Sequence, residues 1–202
     1  MKQFTAQQML ETFKNKGYNF NSSTYQMNIF GIRNSNSQAN TFDDVVGLIF
    51  KDEKDIWQIK QYPATTDPGT YYREHPINAN GTALIVPMQH KNCYKIGKHK
   101  DYEAIQQIAK MRYFRDNNKN KILEFGYKIL GYKYYEEIGA TNIHHSSYNG
   151  TSYSVDNWSA GCQVFQNIKQ FNEFMELIKA SINHYKFINV FDYTLFESED
   201  IK

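Results

Sequence analysis

The sequence predicts a mainly β, α+β fold: mostly antiparallel strands in a sandwich or barrel, with one helix at the N-terminus and one near the C-terminus. Three observations predict it. Residues 55–62, Asp-Ile-Trp-Gln-Ile-Lys-Gln-Tyr, alternate apolar and polar side chains, which marks a half-buried strand, and a polar turn joins them to the apolar run 44–50 as a hairpin. Aromatic residues make up 16% of the chain, with 16 Tyr and 14 Phe, a composition suited to strands that bury rings and leave hydroxyls wet. Sustained helical spacing of apolar residues appears near the two ends.

The first helix begins at Thr5-Ala6-Gln7-Gln8, a capping box flanked by a Phe4/Met9 hydrophobic staple, and stops at Gly17. Residues 18–40 are rich in Asn, Ser and Gln and read as loop with one short strand at 27–32. The chain is accordingly one catalytic domain, 1–202, with 1–40 as a helix-and-loop appendage. The hairpin 44–62 follows, then a Pro-Gly turn at 68–69 and a long loop carrying His75. Strands are expected at 82–87, 93–96 and 110–115, with a short helix at 101–107 capped by Asp101. The oxygen-bearing run 116–120 starts like a calcium loop, but Lys121 stands where glycine is needed and Tyr127 where glutamate is, so it reads as a polar turn. Another strand or hairpin is expected at 126–135, then the strand 140–144. Asn167 caps a long helix whose stripe of Ile168, Phe171, Met175, Ile178, Ile182 and Tyr185 is core, and a last strand covers 187–196.

A formal net charge of +2 offers no electrostatic case for a nucleic-acid partner. No apolar run is long enough to cross a membrane, and residues 1–16 lack the apolar core of a signal peptide. The expected state is a monomer. The two cysteines, Cys93 and Cys162, do not make a disulfide scaffold. Cys93 lies in a strand-like run and reads as an inert thiol.

Chemistry concentrates between 140 and 165. The histidine pair His144-His145 ends one segment, and Ser159-Ala160-Gly161-Cys162 closes the polar loop that leaves it, with Cys162 18 positions after His144. A thiol needs a base or cation nearby to become a nucleophile, and a histidine can be that base. Gly161 allows a sharp bend before the cysteine. A zinc site of His144, His145 and Cys162 is disfavoured, because adjacent histidines diverge on a strand and no His-Glu-x-x-His or Cys-x-x-Cys accompanies them. No metal and no cofactor are expected.

A histidine after an apolar strand residue, a variable loop, then Ser/Thr-x-Gly-Cys resembles the L,D-transpeptidase catalytic-domain family; Ile143-His144 and Ser159–Cys162 carry the match, over about an eighth of the chain. The resemblance implies a mostly β sandwich, peptidoglycan stem peptides as partners, and an acyl-cysteine intermediate. It makes Cys162 the nucleophile, His144 the base, Gly161 and Cys162 the donors of oxyanion-hole amides, and Ser159 a support. His145, Trp158, Gln163 and His99 are the candidate substrate-binding residues; Trp158 equally suits pinning the loop, and His99 an ordinary surface position. Family members commonly have an apolar residue and then Arg or Asn after the cysteine, where this chain has Gln163-Val164, and often His or Lys where it has Ala160. The expected function is cysteine-dependent acyl transfer on stem peptides. Alternatives are hydrolysis with water as acceptor, as in a phage-type lysis protein, or a non-catalytic wall- or particle-binding protein. Without a leader, an enzyme of this kind is made in the cytoplasm and needs another route to the wall. Strand alternation sends His144 and His145 to opposite faces, and a β-bulge would exchange them.

Overall fold

The computed structural model describes residues 3–202, so the first two residues of the segment 1–16 read for a leader lie outside it. Its centre is a closed barrel of eight strands beside a three-stranded sheet. The helix α1 (Ala6–Asn15) carries the expected capping box: the Thr5 hydroxyl accepts from the Gln8 amide at 3.2 Å, and the Gln8 side chain accepts from the Thr5 amide at 3.0 Å. Such a cap contributes about 1 kcal/mol. α1 does not stand apart. Phe4, Met9 and Phe13 pack on Phe30, Ile32, Val45, Ile49 and Phe196 of the barrel.

Strand β1 (Asn28–Arg33) lies between β2 (Asp44–Lys51) and β11 (Phe191–Glu197), so the described part of the expected appendage 1–40, residues 3–40, is part of the fold. This explains the unbroken apolar run in β2. One face meets α1 through Val45 and Ile49, and the other meets the barrel core through Val46, Leu48 and Phe50. β3 (Trp57–Thr65) completes the expected hairpin, with Leu48 opposite Lys60.

The barrel runs β1–β11–β5–β6–β9–β10–β3–β2. Its pairs are antiparallel except β1 with β11 and β9 with β10. β5 (Gln89–His99) is longer than the expected 93–96 and runs straight into β6 (Tyr102–Gln107). The helix expected at 101–107 is therefore a strand. The cause is tertiary: an eleven-residue strand requires a partner, and Lys100, in the left-handed region at φ 57°, turns the chain with Asp101 so that His99 faces Tyr102. Ala104 and Ile105 are buried in the core that results.

The second sheet has the order β4 (Thr82–Ile85), β7 (Met111–Asp116), β8 (Tyr135–Glu137). The stretch 126–135, expected as strand, is a single 3₁₀ turn, Gly126–Lys128, followed by irregular chain. Gly126 presses on the Phe114 ring, which leaves no room for a Cβ, and Tyr127 packs under the buried Arg33 guanidinium at 5.5 Å. The 116–120 run is the expected polar turn: the amides of Asn118, Asn120 and Ile122 each donate to the Asx side chain two residues before. A short helix, α2 (Thr70–Glu74), occupies the expected loop before His75.

α3 (Ile168–Tyr185) is the long helix expected after the cysteine, with the Asn167 side chain accepting from Lys169 and Gln170 amides at 2.8 and 3.3 Å. Phe171, Phe174, Met175 and Ile178 pack with Tyr62, Ile143 and Phe165 of the barrel. The last strand starts at Phe191, later than expected, and Phe187 is exposed. Among the described residues no helix is long and apolar enough to cross a membrane.

Candidate active site

The two strands that matter most are short. β9 is Ile143–His145 and β10 is Gln163–Phe165. β9 starts later than the expected 140 because Ala140 takes a left-handed conformation at φ 54°. The strands pair in parallel, with Ile143 opposite Gln163, His144 opposite Val164 and His145 opposite Phe165. Side chains alternate along a strand. His144 and Val164 therefore share one face, and Asn142 and Cys162, one step back from Ile143 and Gln163, belong to it too. Cys162 is the diagonal neighbour of His144. The opposite face carries Ile143, His145 and Phe165 toward α3, and the His145 ring meets Phe171 edge-on at 5.3 Å. The alternation is unbroken by a bulge.

His144 is buried, and its environment fixes its tautomer. Nδ1 lies 2.8 Å from the His145 carbonyl, which can only accept, so Nδ1 carries the proton. The Tyr102 hydroxyl also donates to that carbonyl at 3.2 Å. Nε2 is left as a buried lone pair with no partner. A ring nitrogen of His144, a ring nitrogen of His99 and the Cys162 sulfur all lie within 4.8 Å of one another. The Cys162 thiol donates weakly to the Ala140 carbonyl at 3.6 Å.

Burial sets the resting charges. It pushes the Cys162 thiol up to about 11, against smaller opposing effects of the Asn142 amide and Lys100. Burial, with His99 beside it, pulls His144 down to about 3. The site rests as neutral thiol beside neutral imidazole, a base waiting for a proton and not a preformed ion pair.

The loop before Cys162 is held from several sides. The Asn40 side chain accepts the Asp156 amide at 2.6 Å, and its backbone carbonyl accepts the Val155 amide at 3.1 Å. Gly69 donates to the Ser159 carbonyl at 2.9 Å, and its missing side chain leaves room for Asp156. Ser159 is buried; its hydroxyl donates to the Cys162 carbonyl at 2.8 Å and accepts the Gly161 amide at 3.2 Å. Gly161 has φ +120°, and a Cβ there would lie 2.6 Å from the Ala83 carbonyl oxygen. Glycine is required on both counts. The Gly161 amide assigned to an oxyanion hole is thus already engaged within the loop.

Cys162 opens on a cavity of about 450 Å³. Its walls include Ala83, Arg115 and Glu137 from the second sheet, with His99, Lys100, Trp158 and Ala160. Of the expected substrate-binding residues, His99 and Trp158 line it. Trp158 also packs with Val155, Phe42 and Cys162, so it serves both as wall and as pin. His145 and Gln163 do not line it. His145 stacks on Tyr102 at 4.2 Å on the other side of the strand. Gln163 points inward, donating to the Gly161 carbonyl at 3.2 Å and accepting from the Tyr193 hydroxyl at 2.7 Å, and so braces the loop from beneath. Arg115 is tied to Glu137 and to the Gly81 carbonyl.

Three residues the sequence reading passed over complete the arrangement: Tyr102, Asn142 and Asn40. Asn142 was accessible to strand alternation, being two residues before His144. Tyr102 and Asn40 reach the site only through chain folding. As for a metal, the set His99, His144 and Cys162 replaces the one considered from sequence, since His145 faces away. A metal must lie in the plane of each imidazole that binds it. The His99 and His144 rings are stacked, centroids 3.8 Å apart and planes 9° apart, so one point cannot lie in both planes. The arrangement suits a thiol and its base better than a zinc ion.

No protein-family model matches the chain, and no curated protein or solved structure matches it significantly.

Proposed function

We propose that the chain is a cysteine-dependent acyl-transfer enzyme acting on peptidoglycan stem peptides in the manner of L,D-transpeptidases. One observation carries the chemical half of this reading: buried His144, with a partnerless Nε2 and its tautomer set by the His145 carbonyl, has a ring nitrogen within 4.8 Å of the Cys162 sulfur. The substrate half rests on the order Ile143-His144 and Ser159-Ala160-Gly161-Cys162. In the reaction, Nε2 takes the thiol proton as sulfur bonds to the carbonyl carbon. The C–N bond then breaks, the proton passes from the imidazolium to the departing amine, and a thioester remains on Cys162. An amine acceptor gives transpeptidation and water gives hydrolysis. Because both groups rest neutral, proton transfer accompanies the attack and does not precede it.

The test is intact-mass spectrometry of the protein after incubation with purified muropeptides. An acyl adduct on Cys162, absent in Cys162→Ala, is expected. Noncovalent retention of muropeptides with no adduct under any condition would make the chain a binder and sink the reading.

A further inference from the structure

An acyl-transfer step through Cys162 develops negative charge on the carbonyl oxygen, and that oxygen needs donors. Of the two amides that the resemblance names, Gly161 and Cys162, that of Gly161 is held by the Ser159 hydroxyl at 3.2 Å. We propose that His99 is a catalytic residue, supplying an N–H to the oxyanion in place of the Gly161 amide. The inference rests on the acyl-cysteine chemistry proposed above.

Three observations support it. First, His99 lines the same cavity as Cys162, and a ring nitrogen lies within 4.8 Å of the sulfur. An oxyanion sits one bond beyond the carbon that sulfur attacks, and donors serve it from about 2.7–3.1 Å. A ring on the cavity wall at this distance is within that span.

Second, a chain of hydrogen bonds sets which nitrogen carries the proton. The Gln107 amide donates to Asn142 Oδ1 at 3.0 Å, which orients the Asn142 amide group. Asn142 Nδ2 then faces His99 Nδ1 at 3.3 Å and donates to it. With Nδ1 as acceptor, the neutral ring bears its proton on Nε2. Burial, with Lys100 and His145 nearby, holds His99 below the usual histidine range, so the ring is a neutral donor and not an acid at neutral pH.

Third, the ring is held in place. It stacks on His144 and meets Tyr102 edge-on at 5.7 Å, and it closes the β5–β6 hairpin opposite Tyr102. A preorganised donor is what oxyanion stabilisation requires. The stack also separates the two imidazoles by role: His144 accepts a proton, and His99 donates a hydrogen bond.

The experiment uses two probes of the intact protein. 4-Nitrophenyl acetate acylates the thiol through a tetrahedral oxyanion, and iodoacetamide alkylates it by displacement without one. His99→Ala and His99→Phe are expected to slow acylation about 10²–10³-fold and to leave the alkylation rate within about twofold of wild type. His99→Gln, which keeps an N–H donor, is expected to recover part of the loss. Parallel loss in both probes would mean that His99 acts only by holding His144, and would overturn the assignment. So would full acylation by His99→Phe, which keeps a ring to stack but has no donor. Alkylation at the wild-type rate reports a folded site in each variant. Absence of muropeptide acylation, with the ester results as expected, would sink the peptidoglycan reading and leave His99 standing. A wild-type Cys162 acylated by neither the ester nor the muropeptide would sink both.

Discussion

Cys162 and His144 meet because a parallel pair of three-residue strands places them diagonally on one face. His145 shares neither that face nor the cavity. A general base typically contributes about 10² to 10⁴ in rate. His144→Ala is therefore expected to lose that order in acylation and to slow alkylation of Cys162, whereas His145→Ala, which removes a stacking partner of Tyr102, loses far less. Measuring both rates from pH 6 to pH 10 in each variant checks this, and a larger loss in His145→Ala would refute it. The same experiment ranks the thiols. Cys162 is 8% exposed and opens on a cavity, while Cys93 is 0% exposed and burial holds it at about 12. Cys162 should be the faster. Its rate should hold a low plateau through the neutral range, set by His144 and lost in His144→Ala, and climb toward about 11 as the thiol itself ionises, because burial holds the thiol protonated. Serine and glycine at 159 and 161 work on the loop's shape, and Gln163 works beneath it.

Between elements, the least expected feature is a buried charge cluster. Arg33, at the end of β1, is fully buried; it donates to the Thr66 carbonyl at 2.8 Å, the Ile85 carbonyl at 2.8 Å and the Tyr127 hydroxyl at 3.1 Å, and forms an ion pair with Asp67 at 2.8 Å. Asp44, at the start of β2, accepts from the Thr66 amide and hydroxyl at 2.7 and 2.8 Å. One guanidinium thereby joins the barrel, the second sheet and the segment leading to Gly69, which in turn holds Ser159. Burying these charges is costly, and removing Arg33 leaves the aspartates without it, a loss of about 3–5 kcal/mol. Arg33→Met should lower stability by that amount in urea denaturation, and adding Asp67→Leu should recover a large part. A single-variant loss below about 1 kcal/mol would show that the cluster does not join the two sheets. The first helix contributes by a different route, covering the outer face of β2 with Phe4, Met9 and Phe13.

For the whole molecule, burial of titratable groups gives stability a pH dependence. His90 is buried, bonds the Val86 carbonyl at 3.0 Å, and is pulled down to about 4 by desolvation. The unfolded chain binds a proton near 6.5 that the folded chain refuses until about 4. This contribution is full above about 6.5 and is lost as pH falls toward 4. His144 acts in the same sense. Asp44 and Asp67, raised by burial, act oppositely, so the single-residue comparison is the informative one. Wild type should lose stability relative to His90→Gln as pH falls from 7 to 4, read as the difference in urea midpoint. A difference that stays constant over this range would refute the assignment.

What the sequence determined by itself was local or periodic. The capping box at Thr5–Gln8, the stripe of α3, the hairpin of 44–62 and the opposite facing of His144 and His145 are each set by neighbours within a few residues, where propensity and side-chain period decide. Tertiary structure decided what long-range pairing decides. It turned 101–107 from helix to strand because β5 needed a partner, and drew 3–40 into the fold because β2 needed cover on both faces. It brought His99 from a distant hairpin to stack on His144, while Gln163 and the Gly161 amide were taken up inside the loop. A short motif names the candidate reacting groups. Which groups surround them depends on strands that are far apart in sequence and adjacent only when the barrel closes, since buried backbone and polar groups must find partners there.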